Sequence, residues 1–379
     1  MKVIHTVGSI ADEASGPSYS VPALANALGE RQWDVSVFSV GPTAITQNQY
    51  YLHRRFANRY GNWPVIRKLQ SAPAMRAALL QTEPDIIHNH GLWLLPNFYG
   101  AQVKNKIKAK LVYAPRGMIS AFSLSFSPIR KKLFSMLGQR VALEAVDLFH
   151  ATSEQEYHEI RAYGYKQPVA IIANGIDFPQ QTNAVKKTKR EVLYVGRIHP
   201  KKRLSDLILA WAKLEKDFPQ WCLRIIGPGE LNEIAILQAL IQHHHVQNIR
   251  IDAPLYGPDK SAAYATADLF VLPTGNENFA MTVAEALVHG VPVISTKGAP
   301  WAGLVTNRCG WWCEIGAEPL EKTMRSAMQL SQPQLKKMGQ NGRSWMARDF
   351  GWTGIAAQMT QAYAWVLGGT AQPSHVRID

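Results

Sequence analysis

"ADLFVLPTGNENFAMTVAEALVHGVPVIST", residues Ala267–Thr296, holds two apolar runs with an apolar helical pattern between them. The first run, "ADLFVLP", closes at Pro273 and the last, "VPVIST", opens after Gly290. Both are short and bounded by turn residues, which marks them as strands. The segment between them is stopped by Gly290 and Pro292, as a helix is. Strand, helix, strand in one short stretch is a crossover unit, and such a unit makes its two strands parallel.

The same alternation extends to both ends of the chain. "MKVIHTVG", "WDVSVFSV", "PDIIHNH", "KLVYAPRG" and "VDLFHATS" form one series of strands joined by helical segments. "EVLYVGR", "CLRIIGPGE", "NIRIDAP", "ADLFVLP" and "VPVIST" form a second. Two doubly wound, Rossmann-like α/β domains with parallel sheets follow, and two such domains facing each other would form a cleft. The polar stretch "NGIDFPQQTNAVKKTKR", residues 174–190, lacks apolar periodicity and is read as the linker. The domains are then 1–173 and 191–351. Three helical patterns run from about residue 317 to Leu367, and the polar tail from Gly368 is expected to be poorly ordered.

Composition narrows the class. The chain has 379 residues, 46% hydrophobic and 18% charged, which excludes disordered and fibrous proteins. Cys222, Cys309 and Cys313 are odd in number and lack metal-ligand spacing, so neither a disulfide framework nor a zinc site is expected, and a cytoplasmic setting fits. No run of roughly 18 apolar residues is present to span a membrane. The formal charge is +13, and residues 50–140 carry fifteen Lys and Arg against Glu83 and Asp85 alone. Such a segment attracts phosphates. Nucleic acid is the weaker partner because no helix-turn-helix, finger or RNP-like motif accompanies the charge. "SPIRKKLFSMLGQRVALEAV", residues 127–146, alternates basic and apolar residues as a helix lying on an anionic membrane does. The bland alternative, a solvated helix covering its own domain, is equally compatible with that pattern.

Parallel sheets bind ligands beyond the carboxyl ends of their strands. After the first strand the loop "VGSIADEASGPSYS" lacks the three glycines of a dinucleotide fingerprint, which argues against an NAD-dependent oxidoreductase. After "YVG", Arg197, Lys201, Lys202 and Arg203 all precede a helix N-terminus. Cations oppose the dipole there, and a bound phosphate or diphosphate reverses the sign. In "IIGPGE", Gly227 and Gly229 would let a ligand approach the backbone. Glu277 and Glu285 lie eight residues apart. If that span were helical they would be about 12 Å apart, too far for a hydrolytic carboxylate pair but suited to a ligand with two hydroxyl-bearing rings. A nucleotide sugar is such a ligand.

Taken together, these motifs resemble the retaining glycosyltransferases of family 4, which have the GT-B fold. The likeness covers almost the whole chain: Glu277 and Glu285 as an E-x7-E pair, "GRIHPKK", "IIGPGE", "NGID" and "FGW" (Phe350–Trp352) in the family's order. The resemblance implies that Glu277 binds donor-sugar hydroxyls beside the amides of Asn278, Phe279 and Ala280, and that Glu285 holds the ribose. It implies that Arg197 and Lys202 hold the diphosphate and stabilise its departing charge. His90 of "HNHGLW" would contact the donor sugar near the reaction centre, while Gly227 and Glu230 would belong to the donor site. In the first loop the family's paired glycines appear as Ser15 and Gly16, so only Gly16 carries over as a donor contact. Arg203 replaces a glycine that often follows the lysine. No D-x-D motif is present, consistent with a family that needs no metal or other cofactor.

"HGLW", "PRGM" and "GWW" are most similar to bacterial members that build lipopolysaccharide, capsule or exopolysaccharide. This implies a glycan acceptor on a lipid diphosphate, with Arg116 as an acceptor contact, and a final helix (residues 352–379) that returns to the first domain. The expected reaction is transfer of a hexose from a nucleoside diphosphate sugar with retained configuration. A nucleotide sugar epimerase of the same fold is the rival enzyme, distinguished by isomerising donor without acceptor. A non-catalytic, basic protein that binds membrane surfaces is the rival of another class.

Overall fold

The computed structural model describes residues 1–11, 16–63, 66–179 and 189–379. The chain divides into two compact units, Met1–Gly175 with Trp352–Asp379, and Ile176–Gly351. Residues 180–188, most of the expected linker, lie outside the described residues, as does Ser15.

In the first unit the strands are β1 (Lys2–Val7), β2 (Asp34–Val40), β3 (Ala44–Gln47), β4 (Leu52–Phe56), β5 (Ile86–His90), β6 (Lys110–Ala114), β7 (Leu148–Ala151) and β8 (Val169–Ile171). The second unit has β9 (Arg190–Val195), β10 (Trp221–Ile226), β11 (Ile249–Asp252), β12 (Leu269–Leu272), β13 (Val293–Thr296) and β14 (Gly310–Cys313). A last strand, β15 (Val376–Arg377), returns to the first sheet. The sheet orders are β15-β8-β7-β6-β5-β1-β2-β4-β3 and β11-β10-β9-β12-β13-β14. All pairings are parallel except β3 with β4 and β15 with β8. Central strands such as β9 are buried almost throughout because helices cover both faces, so they read as continuous apolar runs. Chain order reverses at β1/β5 in one sheet and at β9/β12 in the other, and those switch points place the site-bearing loops.

Several expectations need correction. β4, "LHRRF", was hidden by its arginines; Arg54 stacks 5.4 Å from the Phe38 ring and 5.2 Å from that of Phe56, so charge here packs instead of facing water. β14, "GWWC", continues the second sheet past the last strand counted from sequence. The final helix runs Trp352–Val366 and stops there, and the tail beyond is ordered. Val376 is buried, Val376 pairs with Ala170, and Asp379 forms an ion pair with Arg161. Two residues of strand carry too little periodicity to be seen.

Candidate functional site

The six-stranded sheet assembles its site where β9 and β12 end. After Val195 the chain passes Gly196 and the exposed Arg197, then makes a 3-10 turn, Pro200–Lys202, before the helix Leu204–Leu214. The His199 ring caps that turn by accepting from the Lys201 amide at 3.1 Å. Lys202 Nζ donates to Glu277 Oε1 at 2.5 Å, and Thr274 Oγ1 donates to the same oxygen at 3.0 Å. The Gly275 amide bonds the Lys201 carbonyl at 2.9 Å, and the Glu277 amide bonds the Gly298 carbonyl at 2.6 Å. Both members of the Lys202–Glu277 pair are mostly buried, with side-chain exposures of 18% and 13%. A charge-assisted bond in such a setting is held tightly and fixes both loops.

Phe279 anchors the next residues: its ring lies 5.2 Å from Trp301 and 6.0 Å from Phe350, and its carbonyl accepts from Trp301 Nε1. Ala280 has φ 65°, and the helix begins only at Met281. The span from Glu277 to Glu285 is therefore half loop, and a fully helical separation of the two carboxylates does not apply. Glu285 Oε1 accepts from Lys260 Nζ at 2.7 Å and Oε2 from the Tyr264 hydroxyl at 2.8 Å. Burial, then the Glu285 charge, pushes the Tyr264 hydroxyl well above its usual range, so it stays a donor. A carboxylate has about four acceptor positions, which leaves lone pairs for a ligand on each glutamate.

The glycines of the second turn do something else than expected. A Cβ on Gly227 would lie 1.9 Å from the Gly196 carbonyl oxygen, and one on Gly229 would lie 2.7 Å from Ile198 Cβ. The loops after β9 and β10 run side by side, joined by an Ile198–Gly229 bridge, and the glycines make room for each other's loop. Glu230 is exposed at the start of the helix Leu231–His243.

In the first unit, His90 ends β5 and is buried. Its Nε2 lies 2.9 Å from His5 Nδ1 and its Nδ1 lies 3.0 Å from Arg116 Nη2, so both ring nitrogens are engaged. Arg116 also donates to Asn174 Oδ1 of "NGID" at 2.7 Å. It thus sits among internal partners, where an acceptor contact had been expected. Burial, then the Arg116 charge, holds His90 well below the usual histidine range and His5 at about 3. Gly16 opens the helix Gly16–Glu30 with no atom within 4 Å of a would-be Cβ.

His5, His88 and His90 offer nitrogens that lie within 4.8 Å of one another. Tetrahedral zinc needs nitrogens about 3.3 Å apart and no cation beside them. The spread, the mutual hydrogen bonds and Arg116 make this a poor metal centre.

Comparison with known proteins decides the class. A Glycosyltransferase Family 4 model matches residues 14–179, and a Glycosyl transferases group 1 model matches residues 176–345. The chain belongs to the family 4 glycosyltransferases. Glycogen synthase of Mycobacterium tuberculosis is 25% identical over 303 residues, covering 76% of this chain and 71% of that protein. The fold is the GT-B fold: sucrose-phosphate synthase from Thermosynechococcus elongatus superposes with a TM-score of 0.80 at 19% identity, over 97% of this chain and 100% of that one. Anabaena HepE, solved with UDP and glucose, superposes at 0.73 with 17% identity, over 96% and 100%.

Within this glycosyltransferase, Thr274, Lys260 and Tyr264 escaped the sequence reading. Thr274 carried a usable signal as a polar residue just after the strand. Lys260 and Tyr264 are four apart on the helix Gly257–Thr266, a spacing that puts both on one side, but nothing local names Glu285 as their partner.

Proposed function

We propose that this glycosyltransferase moves a hexose from a nucleoside diphosphate sugar to a lipid-linked glycan, with retained anomeric configuration and without a metal, in the synthesis of a cell-surface polysaccharide. The observation that carries the donor reading is the Lys202–Glu277 pair, stitched by Thr274 at the switch point of the six-stranded sheet. A cation fixed there, with the exposed Arg197 in the same loop, suits a diphosphate, and the departing diphosphate's charge would be stabilised by it. Glu277 keeps acceptor positions for sugar hydroxyls, and Glu285 keeps them for a ribose. Anabaena HepE is described in complex with UDP and glucose, which supports a uridine donor as the first to try.

Support for a membrane-borne acceptor comes from the helical run Pro128–Glu144. Ile129, Leu133, Met136, Leu137 and Val141 are 57–83% exposed along it, with Arg130, Lys132 and Arg140 among them. A groove of about 440 Å³ beside the run is lined by Lys131, Lys132, Arg140, Met136 and Tyr163. Apolar side chains left in water beside cations suit an anionic bilayer surface. No helix among the described residues is long and apolar enough to cross a membrane.

A screen of nucleotide sugars, each with and without a lipid-diphosphate glycan, tests the reading. Transfer should need the acceptor, disappear in Glu277→Ala with nucleotide binding retained, and show weakened diphosphate binding in Lys202→Ala. Isomerised donor in the absence of acceptor would instead mark an epimerase. Co-sedimentation with anionic vesicles, but not with neutral ones, tests the surface.

A further inference from the structure

The four buried histidines of the first unit can carry their protons in one order only. A guanidinium has donors and no acceptor. The 3.0 Å contact from Arg116 Nη2 therefore leaves His90 Nδ1 bare and puts the His90 proton on Nε2. That proton points at His5 Nδ1, 2.9 Å away, so His5 in turn carries its own proton on Nε2. A second chain is fixed from its other end, because a carbonyl only accepts. Ile172 O, 2.9 Å from His150 Nε2, places the His150 proton there. His150 Nδ1 then accepts from His88 Nε2 at 3.3 Å, and His88 Nδ1 accepts from the Tyr363 hydroxyl at 2.7 Å.

The two chains end differently. One closes on a carbonyl, whereas the other runs out at His5 Nε2, a buried atom without a hydrogen-bond partner among the described residues. A one-way chain of donors leaves a surplus N–H at its end, and that is where it is found. Protonating His90 on Nδ1 would set N–H against the guanidinium, and protonating His5 or His150 on Nδ1 would set it against the N–H of His90 or His88. Arg116 itself has φ 58°, a left-handed backbone that a non-glycine residue holds only where its surroundings impose it.

We propose that Arg116 is a positioning residue, whose Nη2–H keeps His90 neutral with its proton on Nε2 and whose bond to Asn174 holds the guanidinium in place. The proposal rests on the reading of His90 as the histidine beside the donor sugar. Neutral His90 can give its Nε2–H to a sugar hydroxyl by exchanging His5 for it. It also adds no positive charge where the sugar carbon becomes positive as the diphosphate leaves.

The test uses the full chain with 15N-labelled histidine. Long-range 1H–15N correlations at pH 7.5 are assigned with a His90→Gln variant. His90 should show a protonated Nε2 and a bare Nδ1 in the wild type and in Arg116→Lys, and lose that preference in Arg116→Met. His5→Leu removes the acceptor at the other end and should leave His90 unchanged, because the order is imposed from Arg116. Once a donor is known, Arg116→Met should lower kcat about 10- to 100-fold, the size of loss that follows removal of the partner orienting a metal-bound histidine, with Arg116→Lys recovering part of it.

A wild-type His90 protonated on Nδ1 or on both nitrogens overturns the proposal, as does an unchanged tautomer or unchanged kcat in Arg116→Met. So does a pattern that changes on dialysis against EDTA, which would make the cluster a metal site. Expected tautomers with no transfer from any nucleotide sugar would support the ordering and overturn the functional reading.

Discussion

Ala280 and Arg203 flank the Lys202–Glu277 pair, and both have left-handed backbone, with φ 65° and 52°. Such a conformation costs an L-residue about 1–2 kcal/mol, against about 0.5–1 kcal/mol of extra chain entropy for glycine. Ala280→Gly should therefore raise stability by about 0.5–1 kcal/mol and Ala280→Val should lower it, read from urea midpoints. Arg203 holds its left-handed backbone at the junction of the 3-10 turn and the following helix, and its Nε bonds Asp206 at 2.6 Å. Gly227 answers to another constraint. Its Cβ would enter the Gly196 carbonyl, so Gly227→Ala should cost about 2–3 kcal/mol and displace the turn that carries Arg197 and Lys202. Full stability in that variant would refute the steric account. The sequence identified these glycines as special but not what approaches them, since the neighbour is a loop some thirty residues away.

Helix Trp352–Val366 shows how an element acquires a role that its own pattern does not state. Its buried Ile355, Ala356, Met359, Ala362 and Tyr363 pack on the first sheet, and the Tyr363 hydroxyl reaches His88. Tyr363→Phe keeps the packing and strands the bare His88 Nδ1, which should cost about 1–3 kcal/mol in thermal or urea unfolding. A loss of less than a few tenths would mean that the histidine chain is not closed by this tyrosine. The strand "PDIIHNH" likewise announced two histidines on one face, because side chains repeat every two residues in a strand. What it could not announce was that β1 and β7 bring His5 and His150 to the same face. The basic segment divides in the same way. Arg54 stacks on aromatics, Lys104 and Lys110 pair with Asp147, and Arg116 joins the histidines, so a fully solvated basic face is not what the element patterns make.

At the scale of the whole molecule, the buried histidines set an acid limit. Burial, then Arg116, holds His5 and His150 at about 3 and His90 well below the usual 6.5, and burial, then His90, lowers His88 in the same way. The unfolded chain therefore binds protons below pH 6.5 that the folded chain does not. Stability should fall as pH drops from 6.5 toward 3, by up to about 1.4 kcal/mol per pH unit for each histidine. Glu156, pushed up by burial, works in the opposite sense above 4.5, as one group against four. Urea midpoints at pH 7.5 and 5.5 would check this, and a flat response would mean that the cluster is already charged. Two parallel-sheet units, the order of their central strands along the chain and the motif residues Glu277, Glu285, Arg197 and Lys202 were legible in the sequence alone, since apolar periodicity and loop position are local. Which polar groups face one another was decided only by the tertiary structure: Lys202 with Glu277, Lys260 and Tyr264 with Glu285, Arg116 with His90. A hydrogen bond is set by a few ångströms of space, and its partners here lie 21 to 75 residues apart along the chain.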